Sequence, residues 1–166
     1  RTPGSKLFIE TINAMGATAT PLPWGETFSA VQQGVVDGLE GSDFTNIQTK
    51  VYETGKKNVA LTNHFLGTAG VYISTEVWAK IPVEYQVIIQ QEFTNEANHM
   101  IARLKAKHAA VVAELEQHGV VFNDIDRAAF EKRTVGLYAT LPGVTMHIYD
   151  QIQAELHKIR KGQVQE

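Results

Sequence analysis

The apolar positions of this chain change period several times, and each change marks an expected element. After a Pro3-Gly4 turn they fall at Leu7, Phe8, Ile12 and Met15, the spacing of one helix face. Ser5 stands where an N-cap belongs, and Gly16 where a closing glycine belongs. "ATATPLP", residues 17–23, reads as a short strand stopped by its prolines. Residues 25–33 predict a second helix, with Phe28 and Val31 inward and Glu26 in the first turn, where an acid is favoured. Gly34 ends it. "VVDGLE", residues 35–40, reads as a short strand or extended segment, and "SDFTNIQTKVYETG" as a broken helix ending at Gly55.

The clearest strand signals are "NVALTNHF" (58–65) and "GVYISTEVW" (70–78), rich in β-branched and aromatic residues on either side of Gly67. A short helix over 75–80 overlaps the second. Residues 82–118 then contain no glycine and no proline after Pro82, which suits a first helical turn. Apolar residues recur through Tyr85, Ile88, Ile89, Phe93, Ala97, Met100, Ile101, Leu104, Val111, Val112 and Leu115 at helical spacing. At roughly 1.5 Å per residue this helix is about 50 Å long, more than the roughly 30 Å of a compact domain of this size. Either it runs past one domain to touch another or a second chain, or it breaks near "KAKHAA". Gly119 ends it, "VVFN" predicts a strand, and "DIDRAAFEKRTVGLYATL" an Asp-capped helix with Phe130 and Leu137 inward. A Pro142-Gly143 turn leads to an amphipathic helix containing Met146, Ile148, Ile152, Leu156 and Ile159. The class is α/β.

Composition narrows the chemistry. The chain has 166 residues, 43% hydrophobic and 20% charged, as ordinary globular domains do. A formal charge of -3 argues against a nucleic-acid partner, which needs a basic footprint. The one basic run, "HKIRKG", complements a helix C-terminus. Zero cysteines exclude disulfides, thiolate metal sites and cysteine nucleophiles. No apolar run approaches the roughly 20 residues of a membrane span. The first residues do not read as a signal peptide, and a chain that starts at Arg1 without a methionine is expected to be a mature product or a fragment.

No catalytic or metal motif emerges. The six histidines form no HExxH pair, and no GxSxG elbow, Walker loop or GxGxxG stands in a supporting context. "NDID" at 123–126 begins like a calcium loop but lacks its glycine and distal Glu, so it reads as a helix cap. Nothing supports an enzyme, a metal or a cofactor.

The ordered run from "RTPGS" through "MGATATPLPWGETFSAVQQGVVDGLEGS" resembles the solute-binding proteins of TRAP (tripartite ATP-independent periplasmic) transporters, of the dicarboxylate-binding type. "ALTNHF", "YISTEVWAKIP" and the long helix agree with that family in order and spacing, so the resemblance covers essentially the whole chain. It implies a two-lobed periplasmic binding protein that closes on a small carboxylate and delivers it to TRAP membrane subunits without chemical turnover. It also implies a periplasmic binding protein-like lobe with a long lobe-spanning helix, the N-terminal lobe being absent. Residues 1–66 and 107–166 would form the second ligand-binding lobe. Residues 67–106 would be the crossing strand and long helix belonging partly to the first. Apolar surface at Tyr85, Ile88 and Phe93 would then be left uncovered, favouring a dimer or a domain-swapped assembly.

The resemblance assigns Arg1 to the ligand carboxylate, whose two oxygens match a guanidinium fork; otherwise Arg1 is a disordered end. Trp24 either covers the ligand body or is a core tryptophan beside two prolines. Glu26 reads as a helix-start acid, and Gln32, Asp37 and Glu40 as turn-stabilising or supporting groups. Sugar-acid binders commonly carry an asparagine where this chain has Gly41, which weakens a sialic-acid assignment; Ser42 or the Gly41 backbone could substitute. His64 either reaches the ligand or is a packed, satisfied histidine. Two other functions stay open. One is a ligand sensor of the same fold signalling to a membrane receptor; the other is a non-binding helical interaction module built on the long helix.

Overall fold

The computed structural model describes residues 1–141, 143 and 145–162, which divide into two compact units. The first comprises residues 1–40, 53–56 and the described part of 124–166; the second comprises 41–52 and 57–123.

In the first unit, the predicted opening helix forms as α1, Lys6–Met15. Ser5 occupies its N-cap, but the hydroxyl makes no cap bond. Gly16 closes the helix in the left-handed region at φ 100°, and Ala17 N–H reaches back to the Ile12 carbonyl. Arg133 adds a guanidinium bond to the Met15 carbonyl from α6, Arg127–Thr134, which packs on α1. Asp126 caps α6 by accepting from Ala129 N–H at 3.1 Å, so "NDID" is indeed a cap. The single helix expected over 124–141 is split: Gly136 intervenes, and 137–140 form a separate 3-10 turn. The expected second helix is a 3-10 turn, Trp24–Glu26, running into α2, Thr27–Gln32, which buries Thr27, Ala30 and Val31. The last helix, labelled α7 below, spans Met146–Arg160 with His157, Lys158 and Arg160 in its last turn. Pro142, half of the expected turn before it, lies outside the described residues.

The second unit holds α3 (Asp43–Thr49), β1 (Asn58–Ala60), α4 (Thr75–Trp78), α5 (Val83–Gln117) and β2 (Val121–Asn123). Helix α3 ends at Lys50 with φ 53°, a 3-10 turn follows, and Gly55 has φ 84°, which is the broken helix the sequence predicts. The two strands pair in parallel, Val59 opposite Phe122, and α4 and α5 belong to the crossover that parallel pairing requires. Helix α5 runs 35 residues without a break, about 52 Å at 1.5 Å per residue. Its C-terminal end is well held. Leu115, Tyr52 and Val120 form a buried cluster, with Ile47, Val59, Val111 and Phe122 packed against it. His118 stacks on Tyr52 with centroids 4.4 Å apart, and Lys57 Nζ donates to the His118 carbonyl at 2.7 Å. The remainder of α5 is mostly exposed, including Tyr85, Ile88 and Phe93.

Three strand expectations fail for one physical reason: a strand exists only where a neighbour takes its hydrogen bonds. "NVALTNHF" shrinks to β1, because Leu61 N–H is the last to reach β2. "GVYISTEVW" forms no strand, Tyr72 is 92% exposed, and its last four residues are α4. "ATATPLP" yields one isolated parallel bridge, Thr2 to Pro21. "VVDGLE" turns first and then extends at its end.

Candidate functional site

The first two residues lie between two backbone segments of the first unit. Thr2 N–H donates to the Thr20 carbonyl at 3.1 Å, and Leu22 N–H donates to the Thr2 carbonyl at 3.3 Å. On the other side the Arg1 backbone nitrogen donates to the Gly38 carbonyl at 2.7 Å, and Glu40 N–H donates to the Arg1 carbonyl at 3.1 Å. Residues 1–2 are therefore the middle member of three short extended segments. Arg1 is half-buried and fixed at its backbone, so it is not a disordered end.

Its side chain is fixed as well. Nε donates to the Leu22 carbonyl at 3.1 Å, and the guanidinium carbon lies 5.2 Å from the Trp24 ring centroid. Pro21 and Pro23 explain why this carbonyl is available. Each proline lacks an N–H, and Pro23 restricts Leu22 to extended conformations. With Nε committed, the two terminal nitrogens make no hydrogen bond among the described residues, leaving the planar fork for an incoming anion. Trp24 is 49% exposed, which corrects the core-tryptophan alternative.

Two acids lie at the same end. Asp37 is exposed, and its carboxylate makes no hydrogen bond among the described residues, so what it brings is charge. Glu40 is half-buried; burial pushes its carboxyl above the ordinary glutamate range, while the Arg1 charge pulls it back. Glu26 begins α2 and faces solvent, as expected of a helix-start acid.

The other predicted residues belong to the second unit. Gly41 is exposed. Ser42 Oγ accepts from Thr45 N–H at 3.2 Å and contacts Thr45 Oγ1 at 3.1 Å, capping α3. His64 is half-buried, with Nδ1 2.7 Å from Thr62 Oγ1 and its ring against Phe65. Its Nε2 is buried without a hydrogen-bond partner among the described residues, so the satisfied-histidine alternative is only half met. Burial lowers its pKa from the usual histidine value. Arg1, Trp24, Asp37 and Glu40 are thus gathered in one unit, and Gly41, Ser42 and His64 in the other.

The anchors missed from sequence are the Leu22 and Gly38 carbonyls. Backbone acceptors carry no side-chain signature; the flanking prolines were the available signal for Leu22. An open hollow of about 460 Å³ on α5, lined by Gln90, Gln91, Thr94 and Asn95, contains none of the predicted residues. One face of one helix cannot enclose a ligand as binding pockets do. Among the described residues there is no group of three metal-ligating side chains, and no helix long and apolar enough to cross a membrane.

Comparison with known proteins gives this geometry a context. The family model for bacterial extracellular solute-binding proteins, family 7, matches residues 1–141. A TRAP periplasmic solute-binding protein from Desulfovibrio salexigens, solved in complex with diglycerolphosphate, is 62% identical with a TM-score of 0.91 over 98% of this chain. A second, from Fusobacterium nucleatum with bound sn-glycerol-3-phosphate, is 38% identical with a TM-score of 0.87 over 96% of this chain. Each is matched over 52% of its own length. The ectoine-binding periplasmic protein TeaA of Halomonas elongata is 26% identical over 96% of this chain and 49% of its own. The chain therefore spans about half the length of these relatives.

Proposed function

This chain belongs to the bacterial extracellular solute-binding proteins of family 7, and from that premise we propose that it forms part of a periplasmic protein that captures a small organic acid for a TRAP membrane transporter. The observation that carries the proposal is the Arg1 fork, held through Nε to Leu22 and lying over the face of an exposed Trp24 at 5.2 Å. Such an arrangement binds a planar or tetrahedral anion by charge-assisted hydrogen bonds and covers its apolar body with an aromatic face. Capture and release need no chemical turnover.

The acid group is a phosphate ester of glycerol in preference to a carboxylate. Support comes from the two solved relatives, at 62% and 38% identity, whose ligands are both of that kind. A guanidinium fork serves either acid, so Arg1 keeps its role. Trp24, Gly41, Ser42 and His64 are further ligand-contact candidates, with Asp37 and Glu40 supporting.

The remaining half of the intact protein supplies the first lobe. Residues 1–66 and 107–166 then belong to the second lobe, and 67–106 partly to the first. The exposed apolar residues on α5 and those at Leu66, Val71 and Tyr72 support this division.

A thermal-shift series on the intact protein tests the proposal. A ligand at 100 times its Kd stabilises the native state by about 2.7 kcal/mol, enough to raise the melting temperature by several degrees. Glycerol 3-phosphate and bis(glycerol) phosphate should do so, and carboxylates of similar size should do less. If no organic acid shifts the intact protein, capture is ruled out.

A further inference from the structure

In the second unit the sheet ends at Leu61, whose N–H donates to the Asn123 carbonyl at 2.9 Å. The chain then bends at once. Thr62 N–H donates to the Ala60 carbonyl at 2.8 Å, and Asn63 takes a left-handed conformation at φ 44°. Across that bend Thr62 Oγ1 lies 2.7 Å from His64 Nδ1, and the Phe65 ring packs on the imidazole with centroids 4.7 Å apart. The ring is therefore held at Nδ1 and by an aromatic neighbour. Its Nε2 is buried and makes no hydrogen bond among the described residues. A buried polar atom left idle is costly, and native folds rarely keep one without a use.

Hydrogen-bond accounting places the proton. Burial lowers the ring's pKa from the usual histidine value, so at pH 8 the ring is neutral, with one N–H and one bare nitrogen. If Nδ1–H donated to Thr62 Oγ1, both the threonine O–H and Nε2 would stay idle among the described residues. If the O–H donates to Nδ1 instead, only Nε2–H stays idle. The second arrangement pairs more groups. We propose that Thr62 is a positioning residue for ligand capture: its hydroxyl donates to His64 Nδ1 and thereby sets Nε2–H as a donor to an oxygen of the captured acid. This inference rests on the capture function proposed above, with His64 as a ligand contact. A phosphate or carboxylate oxygen accepts from such an N–H, whereas a bare nitrogen would repel it. Reaching Nε2 asks the adjoining chain to yield, and residues 66–73 make no backbone hydrogen bond among the described residues.

Two measurements on the intact protein test it. Imidazole nitrogen NMR of the wild type at pH 8 should find the His64 proton on Nε2; a proton on Nδ1 would overturn the assignment. Calorimetric titration with bis(glycerol) phosphate should find Thr62→Val about fivefold weaker than wild type, the usual contribution of one hydrogen bond. Thr62→Ser, which keeps the hydroxyl, should bind within about twofold of wild type for the same reason. His64→Ala should lower affinity, and adding Thr62→Val to it should cost nothing further, because the threonine acts through the ring. Equal losses from Thr62→Val with and without His64 would make the threonine a structural residue only. Unchanged affinity in His64→Ala would take the ring out of the site. Either result overturns the inference and leaves capture intact. A wild type that binds no organic acid at all would overturn both.

Discussion

The Arg1 guanidinium lies 5.2 Å from the centre of the Trp24 ring while its Nε is held 3.1 Å from the Leu22 carbonyl. These two contacts hold the end of a flexible side chain, one by a hydrogen bond at Nε and the other against an aromatic face. Orientation matters here because an ordered donor pair loses less entropy on binding than a free one.

Arg1→Lys in the intact protein should therefore cost far more than a change of cation would suggest. Lysine keeps the charge but loses the Leu22 bond, the fork and most of the stacking. Hydrogen bonds to charged groups contribute about 1.5–3 kcal/mol, so a loss of tenfold or more in affinity is expected, with Arg1→Ala weaker still. Titration calorimetry with bis(glycerol) phosphate measures it. Wild-type affinity in Arg1→Lys would show that the fork geometry is irrelevant.

Trp24→Ala should lower affinity by a smaller amount. A cation–π contact at a half-exposed site contributes about 0.5–1 kcal/mol, and the ligand loses a flat apolar cover in addition. Trp24→Phe should recover part of the loss, since it keeps a ring face. The discriminating measurement is the order of affinities, wild type, then Phe, then Ala; Phe and Ala variants of equal affinity would remove the ring from the site.

What the sequence made legible follows the range of the interactions involved. Helices α1, α3 and α7 and the caps at Gly16 and Asp126 could be read because their bonds close within a few residues. Strand β2 formed where "VVFN" predicted it, but the extent of β1 could not be read, because it depends on β2, more than sixty residues away, and "GVYISTEVW" has no strand partner among the described residues. The site divides in the same way. Arg1 and Trp24 carried recognisable side-chain chemistry, whereas the carbonyls that aim Arg1 carry none. The exposure of Trp24 also lay beyond a sequence pattern, since two adjacent prolines suit a core and a rim equally.

His64 supplies a pH test. Burial lowers its pKa, so near and below the usual value of about 6.5 the unfolded chain holds more protons than the native one. Stability is then present above pH 6.5 and lost as pH falls through the lowered native pKa. Proton NMR of the intact protein should find His64 titrating below the usual histidine value of about 6.5. His64→Asn should flatten the acid side of the stability curve. A His64 that titrates at or above that value would mean that burial does not disfavour its charged form.

Leu115 is fully buried in the cluster with Tyr52 and Val120. Leu115→Ala removes buried methyl groups and leaves a cavity, for which the usual cost is about 2–5 kcal/mol. The intact protein should lose that much in chemical denaturation. Ile88→Ala, on the exposed stretch of the same helix, offers a contrast whose outcome depends on whether the remaining half of the protein covers it.

That contrast extends to how the 166-residue chain behaves alone. Tyr85, Ile88 and Phe93 lie at i, i+3 and i+8, on one face of α5, and each is about half exposed. Burying such side chains is favourable by about 1.5–3 kcal/mol apiece, so an isolated chain gains by pairing that face with another copy. Light scattering on the isolated chain should show mass rising with concentration, and Ile88→Glu with Phe93→Glu should return it to a monomer. The intact protein should remain monomeric, its own first lobe covering the face, and the same two substitutions should destabilise it. If the isolated chain stays monomeric at high concentration and the substitutions leave the intact protein's stability unchanged, α5 carries its apolar face to water and the proposed lobe division falls.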